Sequence, residues 1–305
     1  MSKTARPSRL RRCELAVPGS SDRMIEKAAA MDVDMIFLDL EDSVAPAEKD
    51  NARERIIKAL GTYNWKPRTI CVRINDLETP HAYRDIIDIV ERAGDKIDLI
   101  MIPKVRRAAD VQWVDVLLKQ IEARTGLKKR IGLEVLIEEV EAMMRVEEIA
   151  ASCDRLEALI LGFGDYSGSQ GVPLYELMRD DPYPGDIWHY ARNKVVVAAR
   201  AHGIDAVDGP YSNIRDSEAY RIDANRGRML GFVGKWALHP SQVAIANEVF
   251  SPKPEEVARA RKIEKALREA QAKGQGAIEV DGEFADAAAM RLLQPILDLA
   301  AKVGM

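Results

Sequence analysis

Carboxylates stand at the ends of several apolar runs, and their placement points to metal chemistry. Glu138 follows one run and Asp165 follows the next, while Glu41 and Asp42 close an earlier one. Glu138 and Asp165, with water and substrate oxygens completing the shell, suit Mg²⁺, which prefers octahedral oxygen ligands and keeps several waters. Glu41 and Asp42 are placed to hold those waters. The set predicts a divalent cation site, with Mn²⁺ as the alternative metal.

Arg73 supplies the opposite charge to these acids. Four carboxylates gathered without compensation would repel one another, and Arg73 together with a divalent cation relieves that cost. A guanidinium stays charged and can hold a 2-oxo acid through two parallel hydrogen bonds, which lysine cannot do. Each acid alone has a structural alternative as a helix cap or ion-pair partner, and strand alternation favours that role for Asp39 and Glu139. The functional prediction therefore depends on the whole set.

The elements that must position these residues are predicted to be eight β-strands. Short apolar runs alternate with longer segments of helical periodicity, which is typical of βα units around a parallel sheet. In a β/α barrel the functional side chains collect at the carboxyl ends of the strands, where these acids stand. The predicted strands are Glu14–Pro18, Met35–Leu40, Thr69–Ile74, Leu99–Pro103, Gly132–Ile137, Ala158–Gly162, Ile204–Val207 and Phe232–Leu238.

The predicted fold is α/β, with a (β/α)8 TIM barrel over residues 1–250 and a C-terminal helical extension over residues 251–305. The turn-rich segment Asp180–Asp186 is predicted to be an inserted loop bordering the site. A glycine-bearing loop in the extension precedes a last helix from about Ala285 to Lys302, so we expect a mobile segment able to cover a site. Apolar residues recur at helical spacing before that loop: Val257, Ala260, Ile263, Leu267 and Ala270.

Composition excludes several classes of protein. Lysine and arginine total 45 against 49 acids, a net charge of −4, which gives no electrostatic footprint for nucleic acid. No apolar run approaches the roughly 20 residues needed to span a bilayer, and no secretory signal is expected. Three scattered cysteines predict neither a disulfide framework nor a metal site and fit the cytoplasm. The basic start is predicted to be a solvated arm; it contains Lys3, Arg6, Arg9, Arg11 and Arg12.

Six short motifs occur in the order seen in citrate lyase β-subunit-like proteins, and the chain most resembles the malyl-CoA and β-methylmalyl-CoA lyases among them. The resemblance spans roughly the whole chain. LDLED followed by VRIN is a specific ordered pair, whereas VPG or IPK alone would be a weak signal. The motifs are Val17-Pro18-Gly19, Leu38-Asp39-Leu40-Glu41-Asp42, Val72-Arg73-Ile74-Asn75, Ile102-Pro103-Lys104, Leu136-Ile137-Glu138 and Gly162-Phe163-Gly164-Asp165.

The resemblance implies a barrel of the phosphoenolpyruvate-binding type and a Mg²⁺ ion held by Glu138 and Asp165. It places Glu41 and Asp42 in catalytic roles, supporting the hydration of the metal. Gly164 and Asp165 are implied as substrate contacts. Arg73 is implied to bind the carboxylate and oxo group of glyoxylate.

The resemblance also implies a homotrimer or homohexamer in which the extension covers a neighbouring subunit's site. Asp286 is the implied base delivered by that extension, although an Asp at a helix start is commonly an N-cap. Lys27 matches a basic position of the coenzyme A site. Ser21 stands where relatives often have an arginine, and Ala16 where an aromatic residue is common, which puts the coenzyme A contacts in question.

The implied activity is a Mg²⁺-dependent, reversible carbon–carbon lyase of the Claisen type. It would cleave malyl-CoA or β-methylmalyl-CoA to glyoxylate and acetyl-CoA or propionyl-CoA, with no nucleic acid or membrane partner. The enzymatic alternatives are a citramalyl-CoA lyase, a malyl-CoA thioesterase and a coenzyme A-independent 2-oxo-acid aldolase, the last kept open by Ser21. A non-catalytic subunit that binds coenzyme A or metal within a larger assembly is the remaining alternative.

Overall fold

The computed structural model describes residues 6–173, 175 and 185–305. The chain divides into two compact units, Met1–Asn247 and Glu248–Met305. Most of the predicted inserted loop Asp180–Asp186 lies outside the described residues. Within the described part of the chain, no helix is long and apolar enough to cross a bilayer.

The first unit is built on a closed barrel of eight parallel strands, and the sequence-based prediction of a (β/α)8 barrel is confirmed. The strands follow one another around the barrel in chain order, and β8 pairs with β1 to close it. The strands are β1 (Cys13–Pro18), β2 (Met35–Asp39), β3 (Thr69–Arg73), β4 (Leu99–Ile102), β5 (Gly132–Ile137), β6 (Leu156–Leu161), β7 (Asp205–Asp208) and β8 (Gly234–Ala237).

Helices follow the strands and pack their apolar faces around the barrel. They are α1 (Asp22–Ala29), α2 (Lys49–Thr62) after a 3₁₀ turn at Pro46–Glu48, α3 (Ala82–Ala93), α4 (Ala108–Thr125), α5 (Val140–Met144), α6 (Val146–Ala150), α7 (Phe163–Ser169), α8 (His189–Ala201), α9 (Ser217–Leu230) and α10 (Pro240–Val249). Ser21 caps α1 by accepting a hydrogen bond from the Met24 backbone N–H at 3.4 Å, as its residue type predicts.

Alternate residues of each strand fill the barrel interior. Met35 and Phe37 on β2, Cys71 on β3 and Leu136 on β5 belong to one buried apolar cluster. Each large apolar side chain buried there contributes roughly 1.5–3 kcal/mol to folding. Because strand side chains alternate, the next inward positions at the carboxyl ends are polar ones, namely Asp39, Arg73 and Glu138. The same alternation that builds the core therefore also directs these three side chains toward one end of the barrel.

The basic start closes the amino end of the barrel, so the expectation of a solvated arm is wrong for the arginines nearest β1. The Arg11 side chain is buried and lies 2.8 Å from the Glu157 carboxylate, which Arg9 also contacts at 2.7 Å. Arg12 pairs with Asp34 at 2.7 Å. Buried carboxylates below the core need cationic partners, and the segment before β1 supplies them.

The second unit contains two helices and a β-hairpin. Helix α11 (Pro254–Gln271) buries the apolar residues predicted from their spacing. The predicted loop after it is in fact a hairpin of β9 (Ala277–Val280) and β10 (Glu283–Asp286), followed by α12 (Ala287–Val303). The turn is made by Asp281 and Gly282, both at positive φ (54° and 81°), and Asp-Gly is a favoured pair for a two-residue hairpin.

Candidate active site

Arg73 is fixed at the carboxyl end of β3 by two acids from β2 and the loop after it. Its Nε and Nη2 atoms each lie 2.7 Å from an oxygen of Asp39, and Nη1 lies 3.0 Å from Glu41. Burial tends to raise the pKa of Asp39, but the Arg73 guanidinium outweighs it and holds that pKa below its ordinary value. A guanidinium has five N–H donors. One N–H on each terminal nitrogen is therefore not used by these two acids.

Asp39 is an ion-pair partner, as expected, but strand alternation directs its side chain into the barrel and not away from the site. Asp39 shares its inward side of β2 with Met35 and Phe37, and its carboxylate also accepts hydrogen bonds from the Glu41 backbone N–H at 2.8 Å and the Ser43 hydroxyl at 2.5 Å. Glu139 does face away from the barrel interior, where its carboxylate accepts a hydrogen bond from the Ser169 hydroxyl at 2.9 Å.

Glu138 is buried at the end of β5, and its carboxyl group is closely confined. One oxygen, Oε1, accepts the Lys104 backbone N–H at 2.8 Å, and the other lies against the α-carbon of Gly162. Burial, with the nearby charge of Asp165, raises the pKa of Glu138 to about 8. Asp165 is exposed in the first turn of α7. The structure thus brings a buried and an exposed carboxyl group to the same end of the barrel.

Glu41 and Asp42 lie beside these groups, in the loop that follows β2. The Lys104 ammonium contacts Glu41 and lies 3.2 Å from Asp42. Lys49 donates to the backbone carbonyls of Leu40 at 2.8 Å and Glu41 at 2.6 Å, which fixes the path of the loop. The Gly19 backbone N–H donates to the Asp39 carbonyl at 2.9 Å, and a β-carbon on Gly19 would clash with that oxygen. The VPG and LDLED motifs therefore build one packed corner of the site.

The residues present fit a divalent cation of the Mg²⁺ type. Among the described residues no three Asp, Glu, His or Cys side chains are arranged to enclose a metal ion. Mg²⁺ commonly takes one or two protein carboxylates and fills its other positions with water and substrate oxygens. Burial, followed by the charge of Asp165, raises the pKa of Glu138, and a cation beside this carboxyl group would stabilise its ionised form. Glu138 and Asp165 are the candidate ligands.

Two aromatic rings form the floor under Arg73, and the sequence reasoning did not assign them to the site. The guanidinium carbon of Arg73 lies 5.6 Å from the Trp236 ring centre and 5.7 Å from that of Phe37, and the two rings pack 4.4 Å apart. Cation–π contact in a buried site contributes about 2 kcal/mol. The inward position of Trp236 on β8 is a signal that could have identified it. Lys104 belongs to the IPK motif, for which no role was predicted. It contacts three of the acids.

The coenzyme A candidate, Lys27, is in the first unit, and the base candidate, Asp286, is in the second. Lys27 is exposed on α1. Asp286 belongs to the second unit, where its Oδ1 atom caps α12 by accepting from Ala288 N at 2.8 Å and Ala289 N at 3.2 Å. The N-cap alternative for Asp286 is therefore present in the structure. Gly164 is exposed next to Asp165, with open space where a side chain would stand.

Comparisons with known proteins agree with the architecture. Residues 12–240 match the model of the HpcH/HpaI aldolase/citrate lyase family. The chain is 45% identical over 301 residues, 95% of each chain, to an L-malyl-CoA/β-methylmalyl-CoA lyase of Cereibacter sphaeroides. It is 34% identical to a malyl-CoA/β-methylmalyl-CoA/citramalyl-CoA lyase of Chloroflexus aurantiacus, over 89% of this chain and 82% of that one.

A solved structure of protein CitE from Mycobacterium tuberculosis, in complex with magnesium, acetoacetate and coenzyme A, is similar over 95% of this chain and 97% of its own. Its TM-score is 0.75 and its sequence is 25% identical. The resemblance inferred from the motifs is thereby confirmed, and so is the inference that the chain is an enzyme of the lyase type. The chain belongs to the HpcH/HpaI aldolase/citrate lyase family.

Proposed function

We propose that this protein is a Mg²⁺-dependent carbon–carbon lyase that reversibly cleaves malyl-CoA or β-methylmalyl-CoA to glyoxylate and acetyl-CoA or propionyl-CoA. The observation that carries the proposal is the placing of Arg73, held by Asp39, beside Glu138 and Asp165 at one end of the barrel. The relatives at 45% identity bear the corresponding name. A positively charged donor next to a pair of candidate metal ligands suits a substrate that carries both a carboxylate and an α-hydroxyl or oxo group.

Each residue has a defined task in this proposal. Glu138 and Asp165 would hold Mg²⁺, which would lower the pKa of the substrate hydroxyl and polarise the oxo group. Arg73 directs its two remaining N–H groups toward the 2-oxo acid, and the rings of Phe37 and Trp236 hold its guanidinium in place from below. The Asp39 carboxylate fixes the direction of that guanidinium through two hydrogen bonds.

The proton at the thioester carbon is assigned to Asp286. In cleavage Asp286 would return a proton to the enolate carbon of the acyl-CoA product, and in condensation it would remove one. The proposal follows the family resemblance, in which this aspartate comes from a neighbouring subunit of a homotrimer or homohexamer. Lys27, exposed near the start of α1, is the corresponding proposal for the phosphates of coenzyme A. Three free cysteines support a reducing, cytoplasmic location.

The test is a product assay with two parallel readouts. Purified protein and Mg²⁺ are incubated with malyl-CoA, β-methylmalyl-CoA or citramalyl-CoA, while oxo acid is followed as its phenylhydrazone and free thiol by a thiol reagent. Oxo acid without free thiol, abolished in Glu138→Ala, is the expected result. Free thiol alone would instead identify a thioesterase. No signal on either readout would contradict the proposal and lead to aldol donors without coenzyme A.

A further inference from the structure

Lys104 adopts a backbone conformation that its residue type disfavours. Its φ is +48°, and among the described residues outside glycine only Asp281 shares a positive φ. A residue with a β-carbon keeps such a conformation only where its surroundings enforce it, and functional sites are where this is common. Contacts of both its backbone and its side chain hold Lys104 in this conformation. Its backbone N–H donates to Glu138, and its ammonium contacts Glu41 and Asp42. Backbone and side chain of one residue thus hold three acids of the site.

The acids around Arg73 and Lys104 are not balanced by the cations that contact or face them. The acidic groups are Asp39, Glu41, Asp42, Glu138 and Asp165, and the cations that contact or face them are Arg73, Lys49 and Lys104. With every group ionised, as Mg²⁺ binding requires of Glu138, five negative charges meet three positive ones and two negative charges remain. One divalent cation makes the set neutral. Without the Lys104 ammonium, the metal-loaded set would keep one negative charge.

The position of the ammonium gives it opposite effects on the two ligands of the site. It repels a divalent cation that approaches Glu138 and Asp165, because like charges at short range in a partly buried site interact strongly. It attracts the carboxylate of an incoming oxo acid, because the two charges are opposite. Burial lowers the pKa of Lys104, but Glu41, Asp42 and Asp165 outweigh it and hold that pKa above its ordinary value, so the charge persists.

We propose that Lys104 is a positioning residue that serves as the resident counter-cation of the carboxylate cluster, weakening Mg²⁺ binding while making the metal-loaded site neutral and receptive to an anionic oxo acid. The inference rests on the proposed metal site at Glu138 and Asp165. It predicts that loss of the ammonium changes the affinities for metal and for oxo acid in opposite directions.

The experiment measures both affinities by titration calorimetry in Lys104→Met, which keeps the alkyl chain and the backbone N–H. Mg²⁺ alone should bind the variant at least about tenfold more tightly than the wild type. Glyoxylate should bind the Mg²⁺-saturated variant about tenfold more weakly. Lys104→Arg, which retains the charge, should restore both constants toward wild type. If the role of Lys104 were purely structural, the variant would bind both Mg²⁺ and glyoxylate more weakly.

Two further variants separate the backbone from the charge. Lys104→Gly should match Lys104→Met in both affinities yet melt at a higher temperature, because glycine accepts a positive φ without strain. If the methionine variant does not fold, Lys104→Gln replaces it in the same titrations. Unchanged or weaker Mg²⁺ binding in the folded, uncharged variants overturns the inference. Absence of Mg²⁺ binding in the wild type, by contrast, would overturn the metal site and the proposed function with it.

Discussion

At Gly162 the backbone that leaves β6 passes directly against the Glu138 carboxyl group. A β-carbon at this position would lie 2.3 Å from Glu138 Oε2 and 2.7 Å from its Cβ. Gly162→Ala should therefore displace the buried carboxyl group and lower Mg²⁺ affinity by roughly 10–100-fold, the usual effect of disturbing a ligand's surroundings. Calorimetric titration with Mg²⁺ gives the constant. Gly168→Ala is the matched control, since a β-carbon there meets open space; equal affinities in the two variants would contradict the prediction.

Metal binding should be linked to the protonation of Glu138. With its pKa raised to about 8 by burial, this group is protonated in the metal-free protein at pH 7, and binding of Mg²⁺ requires the carboxylate. Affinity should fall by about tenfold per pH unit as the pH drops below 8 and level off above it. Titrations in two buffers of different ionisation enthalpy should report close to one proton released per Mg²⁺ at pH 7. Zero released protons would show that Glu138 is already ionised.

At the scale of elements, strand alternation accounts for what could and could not be predicted. The eight strands and the placing of Arg73 and Glu138 follow from apolar periodicity, because the inward positions that hold Cys71 on β3 and Leu136 on β5 continue into these polar residues. The expectation for Asp39 failed because this residue has the same parity on β2 as the inward-facing Phe37. The role of Lys104 could not be predicted, since its positive φ arises from contacts with residues far along the chain.

The second unit contains a hairpin turn that the sequence-based prediction did not include. Val280-Asp281-Gly282-Glu283 sits between two short alternating segments, and it was predicted as loop because the strands are only four residues long. Gly282→Ala should destabilise this hairpin by about 1 kcal/mol or more, since alanine is strained at a φ of +81°. Hydrogen exchange of the hairpin amides measures it. Gly276→Ala is the control, because Gly276 lies outside the left-handed region and a β-carbon there meets open space. The hairpin amides in that variant should exchange as in the wild type.

Across the whole barrel, one column of interior side chains joins the two ends. Arg73 at the carboxyl end rests on the Trp236 ring, and the Trp236 indole N–H donates to Glu14 at 3.0 Å. Below Glu14, Arg11 pairs with buried acids that close the amino end. The basic start was predicted to be solvated, but Arg11 has its partners on strands five, six and seven, far along the chain. Long-range ion pairs of this kind leave no local pattern in the sequence.

Glu14 makes the stability of this column depend on pH. Burial raises its pKa to about 8, so the folded protein holds a proton there that an unfolded chain, with an ordinary glutamate value near 4.5, releases. The stabilisation is complete below that ordinary value and is lost as the pH rises to about 8. Relative to Glu14→Gln, which keeps an oxygen for the Trp236 N–H, the unfolding free energy of the wild type should fall by about 1.4 kcal/mol per pH unit across this window. Urea unfolding from pH 5 to 9 measures the difference, and parallel curves for the two proteins would mean that Glu14 stays ionised beside Arg11.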